Sequence, residues 1–249
     1  MDARRNATLL LEALQARGTA ERAAGAKRYM RSQLAFTGAS VPVVRRLAEA
    51  WLRNHRSLDR AALRAIAEAL WSTGVFEARL MSTVMLQRRS EILRASDLVW
   101  LERLLRACRA WALMDNLAPY AVADVLARAP SLRRRILSRW SRDPDFWMRR
   151  AALLTMHRDL ARGDGDWPLW TALAATHLED QARWLDEAPS AEERFFIRKA
   201  LGWALRDASR ARPHDVVAFL AAHLDRVSGL TLREATRHLP AVQRKRLGL

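Results

Sequence analysis

The sequence has a single cysteine, Cys108, and no run of apolar residues long enough to cross a membrane. One cysteine cannot form an internal disulfide, and no Cys-x-x-Cys pair or histidine pair at ligand spacing indicates a zinc site. A P-loop and a dinucleotide-binding fingerprint are absent as well. The N-terminal residues lead directly into an amphipathic pattern without a signal peptide, so we expect a cytoplasmic protein that binds no membrane.

Glycine and proline are scarce, with 9 and 8 residues, and no stretch alternates between apolar and polar residues as a half-buried strand does. Apolar residues instead recur at helical spacing in segments of roughly 12 to 18 residues, which form pairs about every 35 to 40 residues. We therefore predict an all-α protein, an α-solenoid of HEAT-like helical hairpins that is curved with a basic concave face. It would form one domain over residues 1–249; a compact helical bundle is the alternative.

Acidic residues are outnumbered by basic ones, 27 to 43, which gives a formal net charge of +16, and most of the basic residues are arginine. Arginine offers phosphate groups a planar fork of hydrogen-bond donors, so this excess indicates a nucleic-acid partner. A GC-rich genome enriches arginine and alanine in all of its proteins, and that bias is the alternative explanation of the charge.

The segment ACRAWALMDNLAP, residues 107–119, places an indole and a carboxylate where a buried helix would carry leucines. Trp111 and Asp115 are four residues apart and would lie one turn apart on the same helix face. A flat aromatic surface beside a fixed negative charge suits a planar cation, because the ring and the carboxylate both attract positive charge. A cationic base in damaged DNA would fit such a site, whereas a core indole and a solvated carboxylate are the alternative.

Two further segments combine cations with aromatic residues. In FWMRRAALL, Arg149 and Arg150 are about 100° apart on a helix, so one can face a phosphate while the other packs or stays solvated. In FFIRKALGWALRD, Lys199, Trp203 and Arg206 form one stripe of cation, indole and cation. A solvated arginine pair and a core tryptophan are the alternatives for these two segments.

Caps and breaks predict the helix boundaries around these segments. We expect one helix to end at Asn116 and others to span Pro119–Ala129, Phe146–Leu160, Trp167–Asp180 and Glu192–Arg210, with Ala188-Pro189-Ser190 capping the last of them.

The chain resembles the AlkD-type alkylpurine DNA glycosylases, which are built from HEAT-like repeats. The resemblance is carried, in chain order, by YMRSQLAFTGASVP, WALMDNLAP, FWMRRAALL, FFIRKALGWALRDASRARP and LTLREATRHL. It implies hydrolysis of the N-glycosidic bond of cationic N3- and N7-alkylated purines, such as 3-methyladenine and 7-methylguanine, in double-stranded DNA during base excision repair. It also implies that the protein works without metal or cofactor and without a base-flipping pocket.

The resemblance assigns roles to particular residues. It implies that Asp115 is the catalytic acid, that Trp111 and Trp203 are the paired cleft tryptophans, and that Tyr29 lines the same cleft. It further implies that Arg150 is the principal contact to the DNA backbone, with Arg206 a basic residue nearby; Arg149 and Lys199 are our added candidates. Ser40 departs from the family pattern, which has a longer polar residue there, so contacts from this position and the lesion preference would differ.

The physical argument agrees with this reading. An alkylated purine carries a positive charge that already weakens its glycosidic bond, so a carboxylate that stabilises the developing sugar cation and holds a water is sufficient chemistry. We expect a monomer, since one site on a duplex needs no second copy. Two other functions remain open, a non-catalytic DNA- or RNA-binding protein and a protein-interaction scaffold, and a catalytic lysine at Lys27 or Lys199 also remains open.

Overall fold

The computed structural model describes residues 2–178 and 189–249, and within these ranges the chain is helical apart from turns and short connections. Extended pairing among these residues is limited to one isolated bridge between Ala35 and Val75. The prediction of an all-α protein is confirmed, while the HEAT-like solenoid stays a prediction. The chain divides into two compact units, unit 1 of Met1–Arg128 and unit 2 of Ala129–Leu249. One domain over residues 1–249 stays a prediction.

Unit 1 contains eight α-helices in its described part. They are α1 Ala3–Gln15, α2 Ala20–Met30, α3 Val41–Asn54, α4 Arg60–Ser72, α5 Phe76–Arg88, α6 Leu98–Ala107, α7 Trp111–Asn116 and α8 Ala123–Ala127. Two short 3-10 turns, Ser90–Ile92 and Ala95–Asp97, precede α6, and a π-helix, Leu117–Val122, joins α7 to α8.

Unit 2 begins at α9, and its helices are named on the same scheme. They are α9 Pro130–Trp140, α10 Phe146–Thr155, α11 His157–Ala161, α12 Trp167–Ala175, α13 Ala191–Ala208, α14 Pro213–Ala222, α15 Gly229–Ala235 and α16 Ala241–Lys245. Trp140 and Trp170 are fully buried in this unit, and the Trp170 indole donates a hydrogen bond to the Leu153 carbonyl at 3.1 Å.

Local side-chain caps explain where several helices begin. A Ser, Thr or Asp side chain at the N-cap accepts a hydrogen bond from a backbone N–H of the first turn, which would otherwise lack a partner. Such caps precede α1, α2, α4, α10, α12, α13 and α15, at Asp2, Thr19, Asp59, Asp145, Asp166, Ser190 and Ser228. These interactions involve residues close in sequence, which is why many helix starts were predictable.

Helix α5 is the core helix of unit 1, since ten of its residues are buried on all sides of the helix. Among them is Glu77, whose two carboxylate oxygens accept hydrogen bonds from the backbone N–H groups of Thr37 and Gly38 at 2.9 and 2.8 Å. Gly38 has φ = 78°, and a Cβ there would lie 2.2 Å from the Thr19 carbonyl oxygen. The loop before α3 is therefore fixed by a buried carboxylate and a glycine.

Three predicted boundaries are wrong or incomplete. The predicted break between Asn116 and Pro119 is a π-helix that continues the chain from α7, and the helix predicted for Phe146–Leu160 is divided at Met156. Helix α12 ends at Ala175, and Asp180 lies outside the described residues. Ala188 lies outside them as well, while Ser190 caps α13 as predicted, with its hydroxyl oxygen 3.1 Å from the Glu193 N–H.

Among the described residues, no helix combines the length and the apolar character that crossing a membrane requires.

Candidate active site

A sharp turn of the backbone places Trp111 at the start of α7. Arg109 has φ = 44°, in the left-handed region that residues other than glycine seldom adopt, and it lies directly before the buried N-cap residue Ala110. From α5, Arg79 donates to the Ala107 carbonyl at 3.2 Å and thereby ties down the end of α6. Partial burial lowers the pKa of Arg79 from its usual value. The turn before Trp111 is thus held by a cation of the core helix.

The short helix α7 has one buried and one half-buried face. Leu113 and Met114 are fully buried, whereas Trp111 and Asp115 are half-buried, on the side that the spacing of four residues predicted. Tyr29 of α2 is 74% exposed and meets the Trp111 ring edge to face, with ring centroids 6.1 Å apart and an interplanar angle of 86°. The structure therefore brings Tyr29 and Trp111 together, with the carboxylate one helical turn farther along α7.

The π-helix follows from a proline placed four residues after this acid. Pro119 has no N–H and so cannot donate to the carbonyl of Asp115 four residues earlier, as a regular α-helix would require. The chain widens instead into the π-helix Leu117–Val122, and the N–H of the next residue, Ala123, bonds the Ala118 carbonyl five residues before it. Such turns are rare and are frequently found at functional sites. The helix start that was predicted at Pro119 therefore lies inside a continuous helical segment.

Ser40 is the N-cap residue of α3, with Pro42 in the first turn. Its hydroxyl makes no capping hydrogen bond, and the side chain is half-buried. The position lies two residues after Gly38, in the loop that Glu77 fixes. A contact from Ser40 to DNA stays a prediction.

In unit 2, the adjacent arginines of α10 are both buried, with 1% of Arg149 and 4% of Arg150 exposed. We expected one of the pair to face a phosphate, with the other packed or solvated, and the structure shows both packed inside the unit. Arg149 donates to the carbonyls of Asp143 and Pro144 and pairs with the Glu193 carboxylate. It offers almost no surface to DNA, so its contact to a phosphate stays an untested prediction.

Arg150 is anchored to helix α13. Its guanidinium donates to the Phe196 carbonyl at 2.6 Å and lies over the Phe196 ring, with 5.6 Å from Cζ to the ring centroid. Such a cation over an aromatic face is stabilised when water is excluded. The backbone contact that the resemblance implies for Arg150 stays a prediction, and it would be made by an arginine with a fixed position.

Lys199 and Arg206 share one acidic partner. Glu234 of α15 accepts from Lys199 Nζ at 2.7 Å with one oxygen and from Arg206 Nη1 at 3.0 Å with the other. The hydrogen bond from Lys199, and the charges of Lys199 and Arg206, hold the pKa of Glu234 below its usual value. The predicted stripe of cations exists on α13, but both of its cations are ion-paired; their contact to DNA stays a prediction.

A glycine of α13 allows this arrangement. A Cβ on Gly202 would lie 2.6 Å from the Glu234 Cβ and 3.2 Å from the Thr231 carbonyl oxygen, so only glycine lets α15 approach this closely. The Thr231 hydroxyl donates to the Arg198 carbonyl at 3.1 Å and fixes the same contact. The spacing of lysine, glycine, tryptophan and arginine in KALGWALR thus has a structural reason.

Trp203 is half-buried, and two residues that the sequence analysis missed contact it. Its Nε1–H donates to Asp207 Oδ2 at 2.9 Å, and the His157 ring lies beside the indole with centroids 4.4 Å apart. His157 Nε2 and Asp207 Oδ2 are 2.8 Å apart. A usable signal was present in the sequence, because WALMD at residues 111–115 and WALRD at 203–207 share the same pattern.

Among the described residues, no group of three or more His, Cys, Asp or Glu side chains is arranged to hold a metal ion. The candidate residues form two separate groups, each described within its own unit: Tyr29, Trp111 and Asp115 in unit 1, and Arg150, Trp203 and their partners in unit 2. The roles that the resemblance implies for these residues stay predictions.

Similarity to known proteins identifies a family for the sequence and a related fold for the structure. The sequence profile of a family described as "DNA alkylation repair enzyme" matches residues 10–239 of the chain. No curated protein matches it. Among solved structures, the fold is similar to one described as "Predicted DNA alkylation repair enzyme from Enterococcus faecalis", with a TM-score of 0.74 and 20% sequence identity. The similarity covers 90% of this chain and 98% of that one, and at this identity it supports the fold alone.

Proposed function

The chain belongs to the family of DNA alkylation repair enzymes, and we propose that it is a DNA glycosylase for cationic N3- and N7-alkylated purines. The substrate would be double-stranded DNA that contains 3-methyladenine or 7-methylguanine. The observation that carries the proposal is the half-buried face of α7, where Trp111 and Asp115 are presented beside Tyr29. An aromatic surface with a fixed carboxylate selects a cation.

The proposed reaction is hydrolysis of the bond between C1′ of the sugar and the base nitrogen. The electron pair of that bond moves onto the base, which leaves neutral, and the sugar becomes an oxocarbenium-like cation. The Asp115 carboxylate stabilises this cation and accepts a proton from the water that attacks C1′. The products are the free alkylated base and an abasic site, so the reaction needs no metal or cofactor.

The aromatic residues would hold the damaged nucleotide by contact with its sugar and base. Trp111 and Tyr29 supply one set of rings, and Trp203 of unit 2 supplies another, as the resemblance implies. Arg150, with Lys199 and Arg206, would contact phosphates, which fix the register of the duplex without reading sequence. We propose that the lesion is recognised without a base-flipping pocket, in contrast to most glycosylases.

The deciding experiment measures release of 7-methylguanine and 3-methyladenine from alkylated duplex DNA under single-turnover conditions. We expect the wild-type protein to release base, and Asp115→Asn to lower the rate by about 100-fold or more, the range found for general acid–base groups. Binding of the duplex should change little, because the substitution keeps the size of the side chain. Strand cleavage should not accompany base release, which tests the lysine alternative at Lys27 and Lys199.

Asp59→Asn is the matched control, since it makes the same chemical change in unit 1 at the N-cap of α4, where asparagine caps equally well. It should release base at the wild-type rate. If wild-type protein in excess releases no modified base but binds undamaged duplex in a salt-dependent manner, the chain is a non-catalytic binding protein. A protein that binds no nucleic acid at all would point to an interaction scaffold.

We also propose that the protein acts in the cytoplasm as a monomer, as expected for one site on one duplex. Light scattering of the purified protein and of its complex with a short duplex tests the monomer, because a dimer would double the mass of both.

A further inference from the structure

Three donors converge on one carboxylate of helix α13. Asp207 Oδ2 accepts from Trp203 Nε1 at 2.9 Å and lies 2.8 Å from His157 Nε2, while Oδ1 accepts from Arg206 Nε at 3.0 Å. Two of these donors come from α13 itself, and the third comes from the first residue of α11. The carboxylate is therefore tied to a second helix as well as to its own.

These contacts restrain the plane of the Trp203 indole. An indole rotates about two side-chain bonds, and a hydrogen bond at Nε1 fixes one edge of the ring. The His157 ring closes a second side, at 4.4 Å between centroids and an interplanar angle of 51°. His157 reaches this place because α10 ends at Thr155 and a new helix, α11, starts at His157. The helix break at Met156, which the sequence did not predict, thus places His157 beside the Trp203 indole.

Asp207 is held in its charged form, which makes it a strong acceptor. Burial alone would raise its pKa, but the hydrogen bonds from His157 and Arg206, together with their charges, lower the pKa below its ordinary value. Hydrogen bonds to an ionised acceptor are shorter and stronger than bonds between neutral groups. An indole that donates to such a carboxylate loses much of its rotational freedom.

The anchor continues beyond the carboxylate. Arg206 bonds Asp207 with Nε and Glu234 of α15 with Nη1, so one guanidinium joins the two acids. Because its fork is planar and rigid, it fixes the carboxylate in direction as well as in distance. Asp207 is thereby connected to α11 directly and to α15 through Arg206.

We infer that Asp207, supported by His157, is a positioning residue that fixes the orientation of the Trp203 indole. This inference rests on the proposed function, in which that ring contacts the damaged nucleotide. Neither Asp207 nor His157 needs to touch the substrate, since both would act through Trp203. A fixed ring enters the complex already oriented, which reduces the entropy lost when the nucleotide is held in place.

The test reads the indole directly, in protein labelled with 5-fluorotryptophan, where Trp203→Phe identifies the resonance of that residue. In Asp207→Leu we expect this ¹⁹F resonance to shift and broaden, while the other tryptophan resonances keep their positions. Asp207→Asn keeps an acceptor for the indole and should restore most of the wild-type signal. His157→Phe keeps a ring beside the indole but removes the donor, and it should give a smaller shift.

Base release should follow the same order. We expect Asp207→Leu to lower the single-turnover rate on the order of tenfold with little change in duplex affinity, because misplacing a group by about 1 Å can cost up to 100-fold. Asp215→Leu is the control, since it makes the same chemical change at an exposed carboxylate of α14 in the same unit, away from the contacts of Asp207. It should leave the Trp203 resonance in place.

An unchanged Trp203 resonance in folded Asp207→Leu would overturn the inference, as would an equal shift in Asp215→Leu. If Asp207→Leu does not fold, His157→Phe decides in the same way. Failure of the wild-type protein to release base would contradict the proposed function instead. The two outcomes are distinguishable, because the ¹⁹F measurement needs no activity and still reports whether Asp207 holds the Trp203 ring.

Discussion

Each unit contains the segment Trp-Ala-Leu-x-Asp, at residues 111–115 in unit 1 and 203–207 in unit 2. In both, the tryptophan and the acid are one helical turn apart and half-buried. In both, a ring from another helix contacts the indole, Tyr29 at 6.1 Å in unit 1 and His157 at 4.4 Å in unit 2. The same short sequence therefore builds the same local arrangement twice.

The surroundings of the two acids differ. In unit 2 the residue before the acid is Arg206, which bonds it, and the helix continues regularly to Ala208. In unit 1 that position is Met114, which is fully buried, and the backbone widens into a π-helix from Leu117. The comparison shows that a neighbouring side chain can hold an acid in place by a hydrogen bond, as Arg206 does for Asp207. The chemical role that we propose for Asp115 comes from the resemblance, and the positioning role that we infer for Asp207 comes from its contacts.

The units also differ in the basic groups they bury. This difference should make the stability of unit 2 fall at acidic pH. Burial, followed by the nearby charge of Arg149, lowers the pKa of His177 to about 3. Its usual value is 6.5, so between these values the unfolded chain binds a proton that the folded unit 2 does not, and stability falls as the pH falls. Between pH 6.5 and 4.5 this group should cost about 2 kcal/mol, because the slope reaches about 1.4 kcal/mol per pH unit only below the usual pKa.

Urea unfolding at a series of pH values checks this prediction, with hydrogen exchange to separate the two units. His177→Leu should make the free energy of unfolding of unit 2 less dependent on pH, whether or not the substitution changes the stability at pH 7. His214→Gln removes an exposed histidine of α14 and should keep the wild-type slope. An equal slope in wild type and His177→Leu contradicts the prediction.

The residue before each tryptophan also differs, Gly202 in unit 2 and Ala110 in unit 1. Gly202→Ala gives the two segments the same residue there, but its Cβ would lie 2.6 Å from that of Glu234, so α15 must shift. We expect a loss of about 2 kcal/mol in the free energy of unfolding, as for other overpacked sites. The gain in helix propensity from glycine to alanine, about 1 kcal/mol, opposes this loss only partly.

The reciprocal change, Ala110→Gly, is the matched control for Gly202→Ala, and urea unfolding measures the stability of both variants. Ala110 is an extended N-cap residue, a position that glycine tolerates, so only a buried methyl is lost, at a cost of about 1 kcal/mol. A Gly202→Ala protein as stable as wild type would show that α13 and α15 do not need this close approach.

Some of this structure was open to prediction because it depends on neighbours in sequence. Ser190 caps a helix three residues from its bonding partner, and the spacing of Trp111 and Asp115 places them on one face of any α-helix. The all-α class follows in the same way from apolar spacing over the whole chain. Local rules were sufficient for these features.

The rest depends on partners that are distant in the chain. Arg149 is buried because Glu193, 44 residues later, pairs with it, and His157 matters because it meets an acid 50 residues away. No local pattern indicates such pairs. The helix start predicted at Pro119 is wrong for a different reason, since a proline can stand in the first turn of a new helix or widen a continuing one, and the sequence pattern is the same for both.

The smallest expected effect concerns the ion pairs that Glu234 forms with Lys199 and Arg206 in unit 2. Glu234→Gln removes the shared partner of Lys199 and Arg206, but the lysine is 38% exposed, so solvent screens much of the attraction. We expect a loss below about 1 kcal/mol at pH 7. Because the folded pKa of Glu234 lies below its ordinary 4.5, the wild-type advantage should be complete above that pH and vanish as the pH falls below it. Urea midpoints that stay apart in acid would show that Glu234 stabilises α15 by packing rather than by charge.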